Sequence, residues 1–557
     1  MRVYSSGTID IPRDLNLTEF LHKSAYPDLP ESHLIAKDSL TNRSITIGEL
    51  RSRAGRIANG LKTKLNPVDQ ARWAIILPNS VDFLELFHAI LWTGGIVCPI
   101  NHALKATEIG HGLAVSRPHF IVSYGAVVPL VKGAVQLAKT SLSSQGVTWP
   151  IPQIITIITP SPNHPHLPSD FIQPTPLPIP HHPDTRVRQA SIHLSSGTTG
   201  KSKGVALTHH NFLANSLQLL AHDAAQFTPD TRTVAYTPWT HIAMTTLPLF
   251  LGPYTGMLHH AMPSYSLEEF ARLVGSDQAT TFQGVPSVVL QLANSDVTAR
   301  FDFSRARFIN VGGPLKREVR EKLYGKAPWK LVQVYGMTEA AGYVAYQKAG
   351  ETLEDGVTGK LLPGIEARLV REGREEDVPE GEPGELWLRG PNFTRGYAFD
   401  DGANERAFSR EGWYNTGDVC RIDAEGRVSV VGRTKDLIKY KGFQVSPAEL
   451  EALVNACPDV VEGGVGAVWD ESQLTELPAA WVILKDGFGT VEGKRKALRE
   501  VHDAVDAQVS GYKKLRGGVW EVKTLPKNAT GKILRKQLVE MRDGLCSLEE
   551  GSLKAKL

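Results

Sequence analysis

The chain has 557 residues, with 61 Lys and Arg against 59 Asp and Glu, for a formal net charge of +2. That balance supplies no field to draw the whole chain to nucleic acid or anionic lipid. Hydrophobic residues at 41 % and charged residues at 22 % are the composition of a soluble globular protein with a sizeable core.

No uncharged apolar run reaches the ~18–20 residues of a membrane span. The richest stretch, 81–100, carries Asp82 and Glu85. The N-terminal MRVYSSGTIDIPRDL has no apolar segment of the kind a secretory signal needs. Cys98, Cys420, Cys457 and Cys546 lie far apart and form no CxxC, so they read as isolated thiols of a reducing compartment.

In chain order, 46–61 has apolar residues at helical spacing, 73–77 is a short apolar strand, 81–91 is helical, and 94–99 is strand then turn. Strands interleaved with helices predict a mostly parallel α/β sheet. Residues 150–183 hold eleven of the 35 prolines, together with His164, His166, His181 and His182. Proline denies such a tract the rigid elements that metal ligands require, so an irregular surface insertion is predicted.

Next comes an apolar strand, 190–194, running into Ser195-Ser196-Gly197-Thr198-Thr199-Gly200-Lys201-Ser202-Lys203-Gly204. Glycines let backbone wrap an anion, hydroxyls and N–H groups donate to its oxygens, and lysine brings charge. A Walker A reading needs glycine at 195, where this chain has serine. Thr208 then caps a helix with Phe212, Leu213, Leu217 and Leu220 on one face. The α/β pattern resumes to about residue 430. Beyond 435 a separate small α+β unit is predicted, with helices at 446–456 and 491–509 and strands at 461–468 and 480–484.

SSGTTGKSKGV resembles the phosphate loop of the adenylate-forming superfamily: acyl- and aryl-CoA synthetases, luciferases and peptide-synthetase adenylation domains. Further blocks follow in that family's order: Gln333-Val334-Tyr335-Gly336-Met337-Thr338-Glu339, Gly384 to Gly390, Gly412-Trp413 to Asp418, Gly432-Arg433 to Asp436, Lys439 to Gln444, and Pro526 to Lys532. Together they cover about residues 40–540, with 4-coumarate–CoA ligases as the nearest branch. The resemblance implies an α/β fold: a large N-terminal AMP-binding domain of mixed and parallel sheets with flanking helices, 1–433, and a small mobile α+β C-terminal domain, 434–557.

The implied reaction joins a carboxylic acid to ATP as an acyl-adenylate, releases pyrophosphate, then passes the acyl group to CoA with release of AMP. By that resemblance Ser195, Ser196, Gly197, Thr198, Thr199, Gly200 and Lys203 hold phosphates, with Gly313, Gln333, Tyr335, Thr338, Asp418, Arg433 and Lys435 around the rest of the nucleotide. Glu339 is the implied Mg²⁺ ligand. Lys532 is the implied adenylation residue. A hinge near Lys435-Asp436 then exchanges it for Lys439 and Gln444, with Lys441 and Gly442 lining the pantetheine channel. His241 is the implied gate beside the reacting carboxylate, and Ala243, Gly284, Gly312 and Val334 are the implied acid pocket.

Two positions depart from the family: Val334 replaces a usual glycine, and Ser264 stands where plant relatives carry a basic CoA contact. The acid is left open between an aromatic one and a medium-chain or polyketide-derived one. A carrier-protein thiol acceptor and a luciferase-like oxygenase are the alternatives within enzymes. No nucleic-acid partner or stable membrane insertion is expected. Ala555-Lys556-Leu557, a conservative variant of Ser-Lys-Leu, predicts a peroxisomal address through the import receptor, with the cytoplasm as the alternative.

Overall fold

The computed structural model describes residues 2–195, 202–313, 317–351, 356–433, 436–440, 443–471, 473, 475–527 and 533–548. Contacts divide the chain into two units whose segments interleave. The first is Met1–Arg368, Trp387–Asn415 and Ile422–Ser429; the second is Leu369–Leu386, Thr416–Arg421 and Val430–Leu557.

In the first unit the helix expected from Thr46 runs Ile47–Leu65. The Thr46 hydroxyl accepts the Glu49 N–H at 3.2 Å, and the Glu49 carboxylate accepts the Thr46 N–H at 2.9 Å. Two otherwise orphaned donors are satisfied at once. Asn66, left-handed with φ 44°, ends the helix. The next helix, Val81–Trp92, is buried on every side, which explains its apolar run without a membrane. Asp82 and Glu85 are buried within it: Arg43 pairs with both and Arg53 with Glu85. Burial pushes the Asp82 carboxyl up to about 6. Among the described residues no helix is long and apolar enough to cross a membrane.

A six-stranded sheet has the order Gln153–Thr156, Phe120–Ser123, Arg72–Ile76, Ile96–Pro99, Gln189–Leu194, Gly204–Thr208. It is parallel except for its last pair, which is antiparallel and is joined through residues 195–203. A second parallel run orders Leu34–Asp38, Leu258–Ala261, Arg232–Ala235, Thr281–Gly284, Phe308–Gly312 and Lys330–Met337. The chain then turns back antiparallel through Gly342–Tyr346. Connecting helices Leu267–Ser276, Pro286–Asn294 and Arg317–Tyr324 accompany these strands, whose core gathers Phe270, Phe282, Ile309 and Trp329.

The proline-rich tract is largely irregular and mostly at the surface, as its composition predicts, but part of it packs into the domain. Its first residues are the edge strand Gln153–Thr156, and Leu167 and Phe171 are 1 % and 2 % exposed. The Trp92 indole donates to the Leu177 carbonyl at 2.9 Å, and a Cβ at Gly60 would strike the Phe171 backbone. Proline forbids a helix here, but extended chain still packs.

In the second unit, helices Pro447–Ala456 and Val491–Asp506 cover strands Val460–Asp470, Thr475–Leu484 and Val519–Glu521, close to the sequence expectation. Val465, Val482, Leu498 and Val501 form its core. Arg535 holds Glu451 at 2.7 Å and Asp436 at 3.3 Å. None of the four cysteines forms a disulfide.

Candidate active site

Strand Gln189–Leu194, buried from Ala190 to His193, delivers Ser195 to the base of the 195–204 loop. There the Ser195 N–H donates to the Lys203 carbonyl at 2.8 Å, closing the neck. Ser195 is 6 % exposed. Ser196, Gly197, Thr198, Thr199 and Gly200 lie outside the described residues. Glycine is required at 204, where a Cβ would meet Val115 Cγ1 at 2.7 Å and Ile192 Cγ2 at 2.9 Å.

The neck faces a segment that sequence reading overlooked. Ala398 N–H donates to Gly204 at 2.7 Å, and Ala206 N–H donates to Gly396 at 3.1 Å. This pairing sets Tyr397 under Lys203, whose Nζ lies 4.5 Å from the ring centroid, within cation–π range. The Tyr397 hydroxyl donates to Glu339 Oε1 at 2.9 Å and lies 3.3 Å from the Tyr414 hydroxyl. Thr394 N–H donates to the Glu339 carbonyl at 2.8 Å. Lys203, Tyr397 and Glu339 thus form one connected cluster. Only its two charged members stood in recognisable blocks; the tyrosine is placed by tertiary pairing.

Glu339 reaches the cluster through strand Lys330–Met337 and the tight turn after it. Gly336 is obligatory there, since a Cβ would collide with the Gly342 carbonyl. Ala341 takes a left-handed φ of 52°, held by the Thr246 hydroxyl donating to its carbonyl at 2.6 Å. Thr338 opens the turn and is half-buried. Glu339 is 8 % exposed, and burial raises its carboxyl pKa against the opposing pull of Tyr397, Tyr414 and Lys203.

Along the same strand Gln333 is buried and Tyr335 half-buried. The Gln333 backbone exchanges hydrogen bonds with Gln347, at 3.1 Å to its side chain and 3.0 Å from its N–H. Val334 pairs in register with Gly312. A Cβ at Gly312 would meet only Val334 Cγ2, at 3.7 Å, so the valine narrows this face without filling it. Gly313, with φ +134°, sits where an L side chain is strained.

His241 is the N-cap residue of the helix Ile242–Thr245. The residue is exposed, and the protein packed around its ring lowers its pKa by desolvation. Ala243, half-buried, follows on that helix. A Cβ at Gly284 would meet Ile309 at 2.7 Å and Val289 at 2.8 Å, on the core side of its strand. Gly284 therefore leaves no room for a side chain at that position.

A second unforeseen group lies behind His241. Buried His193 has Ser191 Oγ at 2.8 Å from Nδ1 and Thr245 Oγ1 at 2.8 Å from Nε2. Thr245 donates to the Trp239 carbonyl at 2.9 Å. Its proton being spent there, Thr245 accepts from Nε2–H, and Nδ1 accepts from Ser191. Burial pushes His193 down to about 3, so the ring is neutral and its tautomer is set. This relay ties the phosphate-loop strand to the His241 segment.

In the second unit Asp418 is 3 % exposed on strand Tyr414–Ile422, its N–H donating to Thr416 Oγ1 at 3.0 Å. The Thr416 hydroxyl donates to the Leu386 carbonyl at 2.8 Å. Arg433 ends strand Arg427–Arg433, and Lys439 pairs with Gln444 across a hairpin. The side chains of these three, and Lys435, Lys441, Gly442 and Lys532 altogether, lie outside the described residues. Flanking the last, the Leu534 N–H donates to the Pro526 carbonyl at 2.8 Å.

Among the described residues no group of three or more His, Cys, Asp or Glu gathers as a metal cage. A lone desolvated carboxylate beside hydroxyls suits Mg²⁺, which takes one or two carboxylates plus substrate phosphates and water.

The family profile described as AMP-binding enzyme matches residues 25–398, and that of the AMP-binding enzyme C-terminal domain matches 449–532. The 4-coumarate–CoA ligase-like 9 of Arabidopsis thaliana is 30 % identical over 552 residues, covering 95 % of this chain and 92 % of that protein. The peroxisomal OPC-8:0-CoA ligase 1 of the same plant is 29 % identical, covering 97 % and 96 %. The ATP-bound crystal structure of MatB from Rhodopseudomonas palustris superposes with a TM-score of 0.81 at 26 % identity, covering 95 % and 99 %.

Proposed function

The chain belongs to the family of AMP-binding enzymes, and from that premise we propose that it is an ATP-dependent acid–CoA ligase of the AMP-forming type. It activates a carboxylic acid as acyl-adenylate and transfers the acyl group to the CoA thiol. The observation that carries this reading is the Lys203–Tyr397–Glu339 cluster at the neck of a phosphate loop. Activation brings an anionic carboxylate onto an anionic phosphate, so the catalyst must neutralise charge and hold the pair in line.

Residues 195–204 cradle the leaving phosphates, with Lys203 adding charge. Glu339 would hold a Mg²⁺ ion, which when bound neutralises phosphate oxygens. Thr338 donates to the α-phosphate, Gln333, Tyr335 and Gly313 flank the adenine, and Asp418 accepts from the ribose hydroxyls with Arg433 and Lys435 nearby. His241, with Ala243, Gly284, Gly312 and Val334, receives the acid. Residues 434–557 act as a mobile lid. Lys532 stabilises the charge that builds between carboxylate and α-phosphate, after which Lys439 and Gln444 replace it, and Lys441 and Gly442 admit the pantetheine arm.

A panel of carboxylic acids assayed for pyrophosphate and AMP, with and without CoA, tests this. The expected result is acid-dependent pyrophosphate release and CoA-dependent AMP release, with Lys532→Ala slowing acyl-AMP formation about 10²–10³-fold. Acyl transfer only to a carrier-protein thiol would support the other acceptor. Near-parental acyl-AMP formation by the variant would remove Lys532 from its role. Ala555-Lys556-Leu557 supports peroxisomal delivery. A fluorescent protein ending in these residues should enter peroxisomes, and diffuse cytoplasmic signal would refute it.

A further inference from the structure

The first unit holds a cleft of ≈ 730 Å³, a volume that suits a small organic molecule. Arg72, Ile96 and Gln189, the first residues of three neighbouring parallel strands, border it. The phosphate loop follows the opposite end of the Gln189–Leu194 strand. Six residues of strand span ~20 Å, so the Gln189 end of the cleft and Ser195 are separate places. Of the Lys203–Tyr397–Glu339 cluster only Tyr397 borders the cleft.

Its charge is one-sided. Arg72, His119 and Arg395 line it, and the lining carboxylate, Asp69, is taken by two guanidinium nitrogens of Arg188, one of them at 2.6 Å. Among the described residues no carboxylate pairs with Arg72, Arg117 or Arg395. Arg72 Nε donates to the Arg117 carbonyl at 2.9 Å, and the Arg72 N–H donates to His119 Nδ1 at 3.0 Å. That bond leaves the His119 proton on Nε2, free to donate. Arg117 Nε is buried and meets no partner. Burial, reinforced by the Arg117 charge, pulls the Arg72 pKa down, and burial also lowers Arg117 and His119. An anion would supply the missing countercharge.

Apolar groups gather at the same cleft. Val68, Val187 and Phe399 line it, each more than half exposed. Exposed apolar surface rimmed by polar groups marks binding grooves. Phe399 has a left-handed φ of 59°, a conformation that costs a bulky side chain free energy. Its ring stands beside both buried-side arginines: the Arg117 guanidinium carbon is 4.2 Å from the ring centroid and that of Arg72 is 5.4 Å, within cation–π range. A strained backbone thus presents an apolar ring among cations that no carboxylate neutralises.

We propose that this cleft is a second ligand site, which binds an amphipathic organic anion. The phosphate or carboxylate head is met by Arg72, His119 and Arg395, with Arg117 adding charge beside the ring, and the apolar body lies on Phe399, Val68 and Val187. Charge alone would suit inorganic phosphate, and apolar surface alone would suit an alcohol; a ligand that carries both uses the whole cleft. The site does not depend on the acid–CoA ligase reading, because none of its cations belongs to that chemistry.

Calorimetric titration of the full chain with octyl phosphate, octanol and inorganic phosphate tests it, with saturating MgATP present to occupy the nucleotide site. Octyl phosphate should bind at one site, at least about tenfold more tightly than either of the other two. Arg72→Gln and Phe399→Ala should each weaken it at least about tenfold, the first by removing a charged donor and the second by removing the apolar platform. Should Arg72→Gln misfold, Arg395→Gln, at an exposed position, should weaken binding at least about threefold. Absence of octyl phosphate binding under MgATP, equal binding of octanol or inorganic phosphate, or an affinity that survives the substitutions would each overturn the proposal.

Discussion

A carboxyl group with 8 % of its surface exposed, as Glu339 has, is held in surroundings that oppose its charge. Tyr397 and Lys203 offset this only in part, and the folded-state pKa stays above the ordinary 4.5. The linkage has a definite sign. A raised carboxyl pKa means the folded chain binds the proton more tightly than the unfolded one. The stability it contributes is complete below 4.5 and is lost as pH rises through the raised value. Glu339→Gln removes that dependence while its amide oxygen still accepts from Tyr397. In thermal melts without nucleotide, the variant should equal or exceed the parent above neutral pH, with the gap closing toward pH 4.5. Parallel pH profiles for the two proteins would contradict the burial argument. With MgATP the parent should gain more, because the carboxylate then has a cation to meet.

Elements position these residues through close backbone approach. Strand Lys330–Met337 must pass directly over Gly342 before turning into the Glu339 segment, and only glycine at 336 leaves room. Asn215 holds the returning strand, its Oδ1 accepting the Tyr343 N–H at 3.0 Å and its Nδ2 donating to the Tyr343 carbonyl at 2.7 Å. Gly336→Ala forces backbone apart rather than a flexible side-chain tip. A loss of about 1–3 kcal/mol is expected, as for overpacking a close-packed site. AMP release should fall at least about tenfold, because the turn bearing Thr338 and Glu339 moves with the strand. Unchanged melting and turnover in that variant would show that the turn tolerates displacement.

At the scale of the whole molecule, a two-step reaction at one acyl group demands two arrangements of catalytic groups. Lys532 and the Lys439–Gln444 hairpin lie in the second unit, on either side of its main sheet in sequence. Lys435→Pro restricts the backbone where exchange between the arrangements is proposed. Acyl-AMP formation should stay within about threefold of the parent, while thioester formation from that adenylate should drop at least about tenfold. Equal loss in both half reactions, measured separately by pyrophosphate release and by acyl-CoA yield, would eliminate the hinge.

Some of this was legible residue by residue. Helix starts at Thr46 and Thr208 follow from a local cap, and the strand before Ser195 from a local apolar run, because those signals depend on near neighbours in the chain. The phosphate loop and the Glu339 turn stood out through side-chain types that few other structures need together. The proline-rich tract was legible as irregular, but composition reports which regular elements are forbidden, not which side chains, here Leu167 and Phe171, find a surface to cover. Tyr397 and the His193 relay were invisible because each depends on partners far off in sequence: Tyr397 on Glu339, His193 on Thr245. The sequence by itself determined the family, the two-part chemistry and the order of the elements, since these follow from motifs and periodicity. Only the tertiary structure decided which polar groups meet, because hydrogen bonding between distant strands depends on packing rather than on neighbours in the chain.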